Sequence, residues 1–173
     1  MGLFDKYIQK VAGSGPDVPA LMRRLLGAND EFLAWTTATP EGFVRDSGVT
    51  SLSWALVNAV VDKVLTAKSQ NEHISGEPGS VATTLPTDGE VLTLVASHSG
   101  VSVWRFLGGA TEDPTLYYRL NPEHVRSITD TGKRAQGGAW IIRVAFVDGS
   151  HFDYRIMHDY DQFLTACRYF TPN

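Results

Sequence analysis

The stretch WIIRVAFVDGSHFDYRI, residues 140–156, alternates apolar with other side chains on both sides of a short turn. A period of two is typical of strands with one buried face, so the stretch predicts a β-hairpin. A two-residue turn at Asp148-Gly149 would set apolar side chains opposite charged ones. A three-residue loop with Gly149 in the left-handed conformation instead keeps nearly all apolar side chains on one face. This second register pairs Phe146 with Ser150, Val144 with Phe152, Ile142 with Tyr154 and Trp140 with Ile156.

A helix is predicted directly after this hairpin, because the spacing of apolar residues changes there from two to three or four. Its apolar stripe consists of Tyr160, Phe163, Leu164, Cys167 and Phe170. Asp159 and Gln162 have the spacing of a capping box, in which two side chains bond to amides of the first turn. We expect this helix to cover an open end of a curled sheet.

Five more strands are predicted from apolar alternation between turn signals, at residues 31–39, 91–97, 101–107, 116–120 and 125–131. A loop at 132–138 then leads into the hairpin. Short antiparallel strands at this spacing are typical of barrels and sandwiches. A single terminal helix favours a small, partly open barrel, since a closed barrel would need no cover. The predicted fold is therefore mainly β, with about seven strands and a C-terminal capping helix.

Two helices are predicted before the first strand. Residues 2–12 carry apolar side chains at helical spacing, and Asp17 is expected to cap a second helix that ends at Gly27. We expect both helices to pack against their own domain. Residues 1–30 would thus form a helical extension and residues 31–173 the main domain.

An insertion at about 41–89 separates the first two strands. Residues 51–65 predict a helix capped by Ser51 or Ser53, with an apolar arc wide enough to be buried on more than one side. The candidate contact surface on this helix is Leu52, Leu56, Val57, Val60 and Val64. Burial of the arc within the monomer and contact with a partner both explain its width. Residues 68–88, rich in Ser, Gly, Glu, Pro and Thr, predict a long loop with partial disorder.

The composition disfavours several function classes. A chain of 173 residues with one Cys suits a single domain in a reducing compartment, without a disulfide framework or a multi-Cys metal site. The 15 basic and 19 acidic residues include no basic run longer than two, which disfavours nucleic acid and anionic membranes as partners. The start of the chain lacks the pattern of a secretory signal, so a cytoplasmic location is expected.

Three stretches and the final helix are similar to the pleckstrin-homology (PH) superfold, specifically to bacterial PH-like domains. They are VLTLVASHSGVSVWRF at 91–106, LYYRLNPEHVRSI at 116–128, IRVAFVDGSHFDY at 142–154 and DYDQFLTACRYF at 159–170; the start, MGLFDK, also resembles some of these proteins. The resemblance covers about half of the chain. It implies a seven-strand barrel plugged by the last helix, frequent self-association and no catalytic activity.

The chain departs from the family pattern in one connection. PH domains that hold phosphoinositides use a basic cluster between their first two strands, whereas this connection offers only Arg45, Lys63 and Lys68, far apart. Phosphoinositide binding is therefore not expected. The same connection contains a whole helix, which the simple domain lacks.

Residues suited to catalysis or metal binding are few. His151, Asp153 and Arg155 project from one strand face and could form a His-x-Asp metal or acid–base pair, but a solvated outer strand face explains them equally well. His158, Asp159 and Asp161 are a second possible ligand set, although Asp159 is better used as the helix cap.

Two further groups give weaker signals. Cys167 lies on the apolar stripe, where a thiol is expected to be inert packing. Tyr117, Arg119 and Arg126 are the only aromatic and basic group suited to single-stranded nucleic acid, and the net charge of -4 opposes that role.

The sequence thus predicts a non-enzymatic PH-like domain that acts through protein contact or self-assembly as a homo-oligomer, with no cofactor or metal. The alternative is a peripheral module that binds a small ligand or lipid headgroup in the barrel mouth. An enzyme would need a pocket that joins His151 or His158 to another titratable group.

Overall fold

The computed structural model describes residues 17–41, 72–87, 91–106, 113–135 and 138–169. Among the sequence predictions, the helix at 2–12, the helix at 51–65 with its candidate contact surface, and Phe170 in the last stripe lie outside these residues.

Eight strands and three α-helices make up the described part of the chain. The helices are α1 (Val18–Leu26), α2 (Val81–Thr84) and α3 (Tyr160–Cys167), and Pro122–His124 form a 3-10 helix. The strands are β1 (Phe32–Pro40), β2 (Ile74–Ser75), β3 (Leu92–Ser97), β4 (Gly100–Arg105), β5 (Thr115–Leu120), β6 (Val125–Arg134), β7 (Trp140–Phe146) and β8 (His151–Ile156).

The strands form one antiparallel sheet in the order β5-β4-β3-β1-β8-β7-β6, and β2 pairs with β8 beside β1. The first strand thus lies at the centre, where it joins two meanders. β5 and β6 are the edges of this path, so the sheet is not closed. The prediction of a mainly antiparallel β domain with a C-terminal helix is confirmed.

The predicted hairpin register is confirmed. Val144 pairs with Phe152, Ile142 with Tyr154 and Trp140 with Ile156, and the Phe146 N–H donates to the Ser150 carbonyl at 2.9 Å. Gly149 has a φ of 86°, the left-handed conformation that the three-residue loop requires. The apolar side chains of both strands therefore enter one core.

The C-terminal helix fills the inner side of the curled sheet. Phe163 and Cys167 are fully buried there, and Leu164 packs against the same core. The capping box is wrong: Asp159 has a left-handed φ of 50° and makes no side-chain capping bond. Its carboxylate accepts a hydrogen bond from His158 Nδ1 at 2.8 Å instead.

The helix α1 covers the opposite face of the sheet. Asp17 Oδ1 accepts a hydrogen bond from the Ala20 N–H at 3.1 Å, so the predicted cap is confirmed. Val18 and Met22 pack with Val95 and Trp104 in a second apolar cluster. β3 is consequently buried on both faces.

Two predicted loops are wrong in part. Residues 132–134 belong to β6, because the strand continues to Arg134 although the apolar alternation predicted its end at residue 131. Residues 72–87, named here the return segment, contain β2 and α2. They are ordered because their few apolar side chains, Ile74, Val81, Ala82 and Leu85, reach the main core.

Candidate functional site

The residues proposed as a His-x-Asp site lie on the outer face of β8, and one of them is covered. The Asp153 side chain is 1% exposed. Arg143 donates to both carboxylate oxygens of Asp153 at 2.8 Å, and His73 Nδ1 lies 3.0 Å from Oδ2. The hydrogen bond to Asp153 raises the pKa of Arg143. A solvated strand face is therefore the wrong description of Asp153, because the return segment covers it.

The same strand edge holds both ends of residues 42–71. β1 pairs with residues 154–156 of β8, and β2 pairs with residues 151 and 152. Between them, the Glu41 N–H donates to the Asp153 carbonyl at 2.9 Å. The Glu41 carboxylate also accepts two bonds from Arg155, at 2.8 and 3.0 Å. The chain thus leaves β8 at Glu41 and comes back beside it at residue 72.

His151 holds the start of the return segment. Its Nε2 lies 3.3 Å from the Glu72 carbonyl, which can only accept, so Nε2 carries the proton. Nδ1 then accepts a hydrogen bond from the Ser75 hydroxyl at 2.5 Å. The Ser75 hydroxyl and the His151 imidazole thus resemble a nucleophile hydrogen-bonded to its general base. Here both partners of His151 belong to the return segment, so the contacts fix that segment on β8.

The turn between β7 and β8 holds the other end of the return segment. Asp148 Oδ2 accepts a hydrogen bond from the Val81 N–H at 2.8 Å, and Ser150 Oγ accepts one from the Ala82 N–H at 3.2 Å. Bonds from Ser150 and Val81 lower the pKa of Asp148. α2 is therefore capped by a distant turn, whereas its own Ser80 makes no side-chain capping bond.

The second proposed ligand set does not converge. The Thr37 N–H donates to His158 Nε2 at 3.3 Å, so Nδ1 carries the proton that is donated to Asp159. Asp161 is exposed in the first turn of α3. Within the described ranges, no group of three or more His, Cys, Asp or Glu residues is placed to hold a metal.

The remaining candidates have structural surroundings. Burial raises the pKa of the Cys167 thiol, which is consistent with inert packing. The aromatic and basic group is dispersed: the Arg105 guanidinium lies over Tyr117, Arg119 lies 3.6 Å from Asp30, and Arg126 donates to the Val147 carbonyl.

A cavity of about 350 Å³ opens at the turn that joins the two edge strands. One wall comes from the return segment, and the other comes from the end of β5, the 3-10 helix and Phe146. Its lining consists of Val81, Thr84, Leu85, Pro86, Tyr118, Arg119, Leu120, Asn121, His124 and Phe146. Neither His151 nor His158 lines it.

The two edge strands carry irregularities that oppose strand addition. The pairing of β5 with β4 shifts between Val103 and Trp104. β6 shifts twice against β7, between residues 125 and 127 and between residues 130 and 134. Bulges and charged side chains at an edge twist it away from a partner strand. The open edges are thus poorly suited to extending the sheet.

The sequence contained a signal for part of this arrangement. The predicted hairpin register sets Arg143 directly opposite Asp153, and opposite charges at such a position attract. His73 and Glu41 had no comparable signal, since they belong to segments whose path depends on the tertiary fold.

Comparisons with protein-family models, with curated proteins and with solved structures find no match for this chain. No helix in the described residues is both long and apolar enough to cross a membrane.

Proposed function

We propose that this chain is a non-enzymatic PH-like domain that acts by contact with a second copy of itself. The observation that carries the proposal is the attachment of both ends of residues 42–71 to one edge of β8. The chain leaves β8 at Glu41, whose N–H donates to the Asp153 carbonyl. After the insertion, His73 bonds to the Asp153 carboxylate. The Glu41 bond lies along the strand edge, and the His73 bond lies on the outer face, opposite the side chains of Phe152 and Tyr154.

The inner side of the sheet already has its own filling. Phe146, Phe152, Tyr154 and Phe163 are all less than 2% exposed, and α3 and the return segment complete this core. The residues that flank the insertion, Glu41 and Glu72, bond to the outward-facing side chains of Arg155 and His151. We propose that a second copy of the chain covers the apolar arc predicted at 51–65, since an exposed apolar arc of this width is typical of an interface.

The PH-like assignment is supported by the order of the elements. The antiparallel strands start with β1, and the last strand, β8, pairs with β1 again. The C-terminal helix packs on the inner side of this curled sheet. This arrangement agrees with a seven-strand barrel plugged by its last helix, to which β2 is added. The opening between β5 and β6 agrees with a partly open barrel.

The geometry of the polar residues supports a binding role over a catalytic one. Asp153, His151 and Arg155 hold the two ends of the insertion, and His158 connects β1 to the start of α3. Each of these groups has a partner that explains its position. The bulged edges further favour assembly through the insertion over assembly through strand addition.

Light scattering over a range of concentrations tests this proposal on the full chain. We expect the wild-type mass to increase with concentration, and the double variant Leu56→Asp/Val60→Asp to remain a monomer because two charges then interrupt the apolar arc. The matched control, Ser53→Asp/Asn58→Asp, adds the same charges at polar positions and should associate like the wild type. A wild-type chain that remains monomeric throughout would reject the proposal.

A further inference from the structure

Ile141 is buried on the outer face of β7, which the described core does not reach. In the β7–β8 register Ile141 pairs with Arg155, so its side chain shares the outer face with those of Arg155 and Arg143. Ile141 is nevertheless only 4% exposed. It belongs to neither of the two apolar clusters that the described residues form. Its burial therefore needs a different cover.

The charged side chains around Ile141 are covered as well. Those of Arg155 and Arg143 are 29% and 34% exposed, and that of Glu41 is 11% exposed. Arginine stems can shield an apolar neighbour, but they would then form the outermost layer and be largely exposed themselves. Helix α1 packs on β3 and β4, and α3 fills the inner side of the sheet. A further layer therefore lies over this part of the outer face.

Both ends of residues 42–71 are attached beside this patch. The Glu41 carboxylate accepts two hydrogen bonds from Arg155 of β8, at 2.8 and 3.0 Å. The Glu72 carboxylate forms an ion pair with Lys133 of β6. Because β7 lies between β8 and β6 in the sheet, the segment starts on one side of β7 and ends on the other.

The helix predicted at 51–65 has enough apolar residues for two contact surfaces. At about 100° per residue, Leu56 and Val60 point in one direction, and Val61 and Leu65 point about 140° away from it. We call these the first and second sides of the helix. A surface helix needs a stripe of only about 100° to face its core. One contact thus leaves the other side of the arc uncovered.

We infer that residues 42–71 fold back over the outer face of their own chain, with the second side of the predicted helix packed on Ile141. A helix of this length measures about 22 Å, which exceeds the roughly 10 Å between β8 and β6. The contact removes an isolated apolar side chain from a charged face, and it leaves the first side for a second copy. This packing within one chain does not depend on self-association.

Nuclear Overhauser contacts of the Ile141 δ1-methyl test this packing on the full chain. At low concentration, we expect contacts to side chains of residues 51–65. They should be absent from isotope-filtered spectra of mixed labelled and unlabelled chains. Ile142, whose side chain is on the inner face, is the matched control and should show contacts to the main core only.

Two outcomes would overturn the inference. Contacts of the Ile141 methyl that are restricted to its neighbours on β6, β7 and β8 would show that the strands themselves cover it. Contacts to residues 51–65 that occur only in the isotope-filtered spectra would show that the helix of a second copy covers it. Neither measurement requires a substitution, so both can be made even if a variant does not fold.

Substitutions then assign the side of the helix. Val61→Asp should uncover Ile141, so that relaxation of its methyl by a soluble nitroxide increases several-fold. The matched variant Leu56→Asp places the same charge on the first side and should leave this relaxation unchanged. Equal relaxation in the two variants would contradict the assignment of the second side.

The same spectra separate this inference from the proposed function. The variant Leu56→Asp/Val60→Asp should lose self-association and keep the contacts of Ile141. A wild-type chain that stays monomeric and shows these contacts would reject self-association and support the packing within one chain. A chain that associates without these contacts would do the reverse.

Discussion

His73 Nδ1 lies 3.0 Å from Asp153 Oδ2, so the residue with which the chain returns to the sheet bonds to the residue at which it left. Arg143 completes the pair with two bonds of 2.8 Å to the same carboxylate. A buried carboxylate with two such partners is costly to remove, because the charge of Arg143 and the ring of His73 then lose their acceptor. The base of the insertion therefore depends on Asp153.

Asp153→Ala should lower the free energy of unfolding by about 2 kcal/mol, since it removes the buried acceptor of Arg143 and His73 while the partly exposed Arg143 can still be solvated. Urea unfolding followed by tryptophan fluorescence measures this loss. The control Glu123→Ala removes an exposed carboxylate and should change stability by less than about 0.5 kcal/mol. Equal effects of the two substitutions would show that Asp153 does not anchor the segment.

Gly76→Ala should destabilise the return segment more than Gly79→Ala does. Both glycines have a positive φ, 142° and 88°. A Cβ at Gly76 would lie 2.6 Å from Ser150 Cβ and would also clash with Ser80 Oγ, whereas one at Gly79 meets nothing within 4 Å. We expect a loss of about 2 kcal/mol or more at Gly76 and about 1 kcal/mol at Gly79, measured by urea unfolding. Equal losses would contradict the close approach to Ser150.

The hairpin and the return segment show what the sequence could and could not predict. The register of residues 140–156 followed from alternation, because a slip by one residue would set His151 and Asp153 on the same face as Phe146 and Val144. The return segment contributes only two residues to the sheet, and His73 bonds across 80 positions. Such contacts have no local period, so the segment resembled a loop.

The capping box predicted at Asp159 does not form, and tertiary contacts are again the reason. Asp159 and Gln162 have the spacing of a capping box, but His158 competes for the Asp159 carboxylate. His158 itself is held by the Thr37 N–H and packs edge-on against the ring of Trp35, 4.5 Å away. The tertiary position of β1 thus decided a bond that local spacing had assigned to the helix.

The Tyr160 hydroxyl should lose its proton at a higher pH than an ordinary tyrosine does. Burial and a hydrogen bond with Asp130 raise the pKa of Tyr160 to about 12, and its ring stacks on Trp140 at 4.1 Å. Because the folded state keeps its proton longer than the unfolded chain, stability should fall as pH rises above about 10. Carbon resonances of the Tyr160 ring measure the titration. Asp130→Asn should lower this pKa, and an unchanged value would show that Asp130 is not the cause.

Acid should weaken the contact between Asp30 and the β3–β4 turn. Burial alone would raise the pKa of Asp30, but hydrogen bonds from Ser99 and Ser97 and the charge of Arg119 outweigh it and lower the pKa. The stabilisation is therefore complete above the unfolded pKa, about 3.9, and is lost as pH falls through the lower folded value. Urea unfolding at several acidic pH values should show a smaller loss in Asp30→Asn than in the wild type. An identical pH dependence would contradict this role.

Amide hydrogen exchange at low and high protein concentration tests self-contact through the insertion most directly. Our account predicts that exchange within residues 51–65 slows as concentration increases, while exchange in β3 (Leu92–Ser97) stays constant. The Leu56→Asp/Val60→Asp variant should lose this dependence. Exchange at 51–65 that is independent of concentration in the wild type would contradict the proposal that this surface joins two copies of the chain.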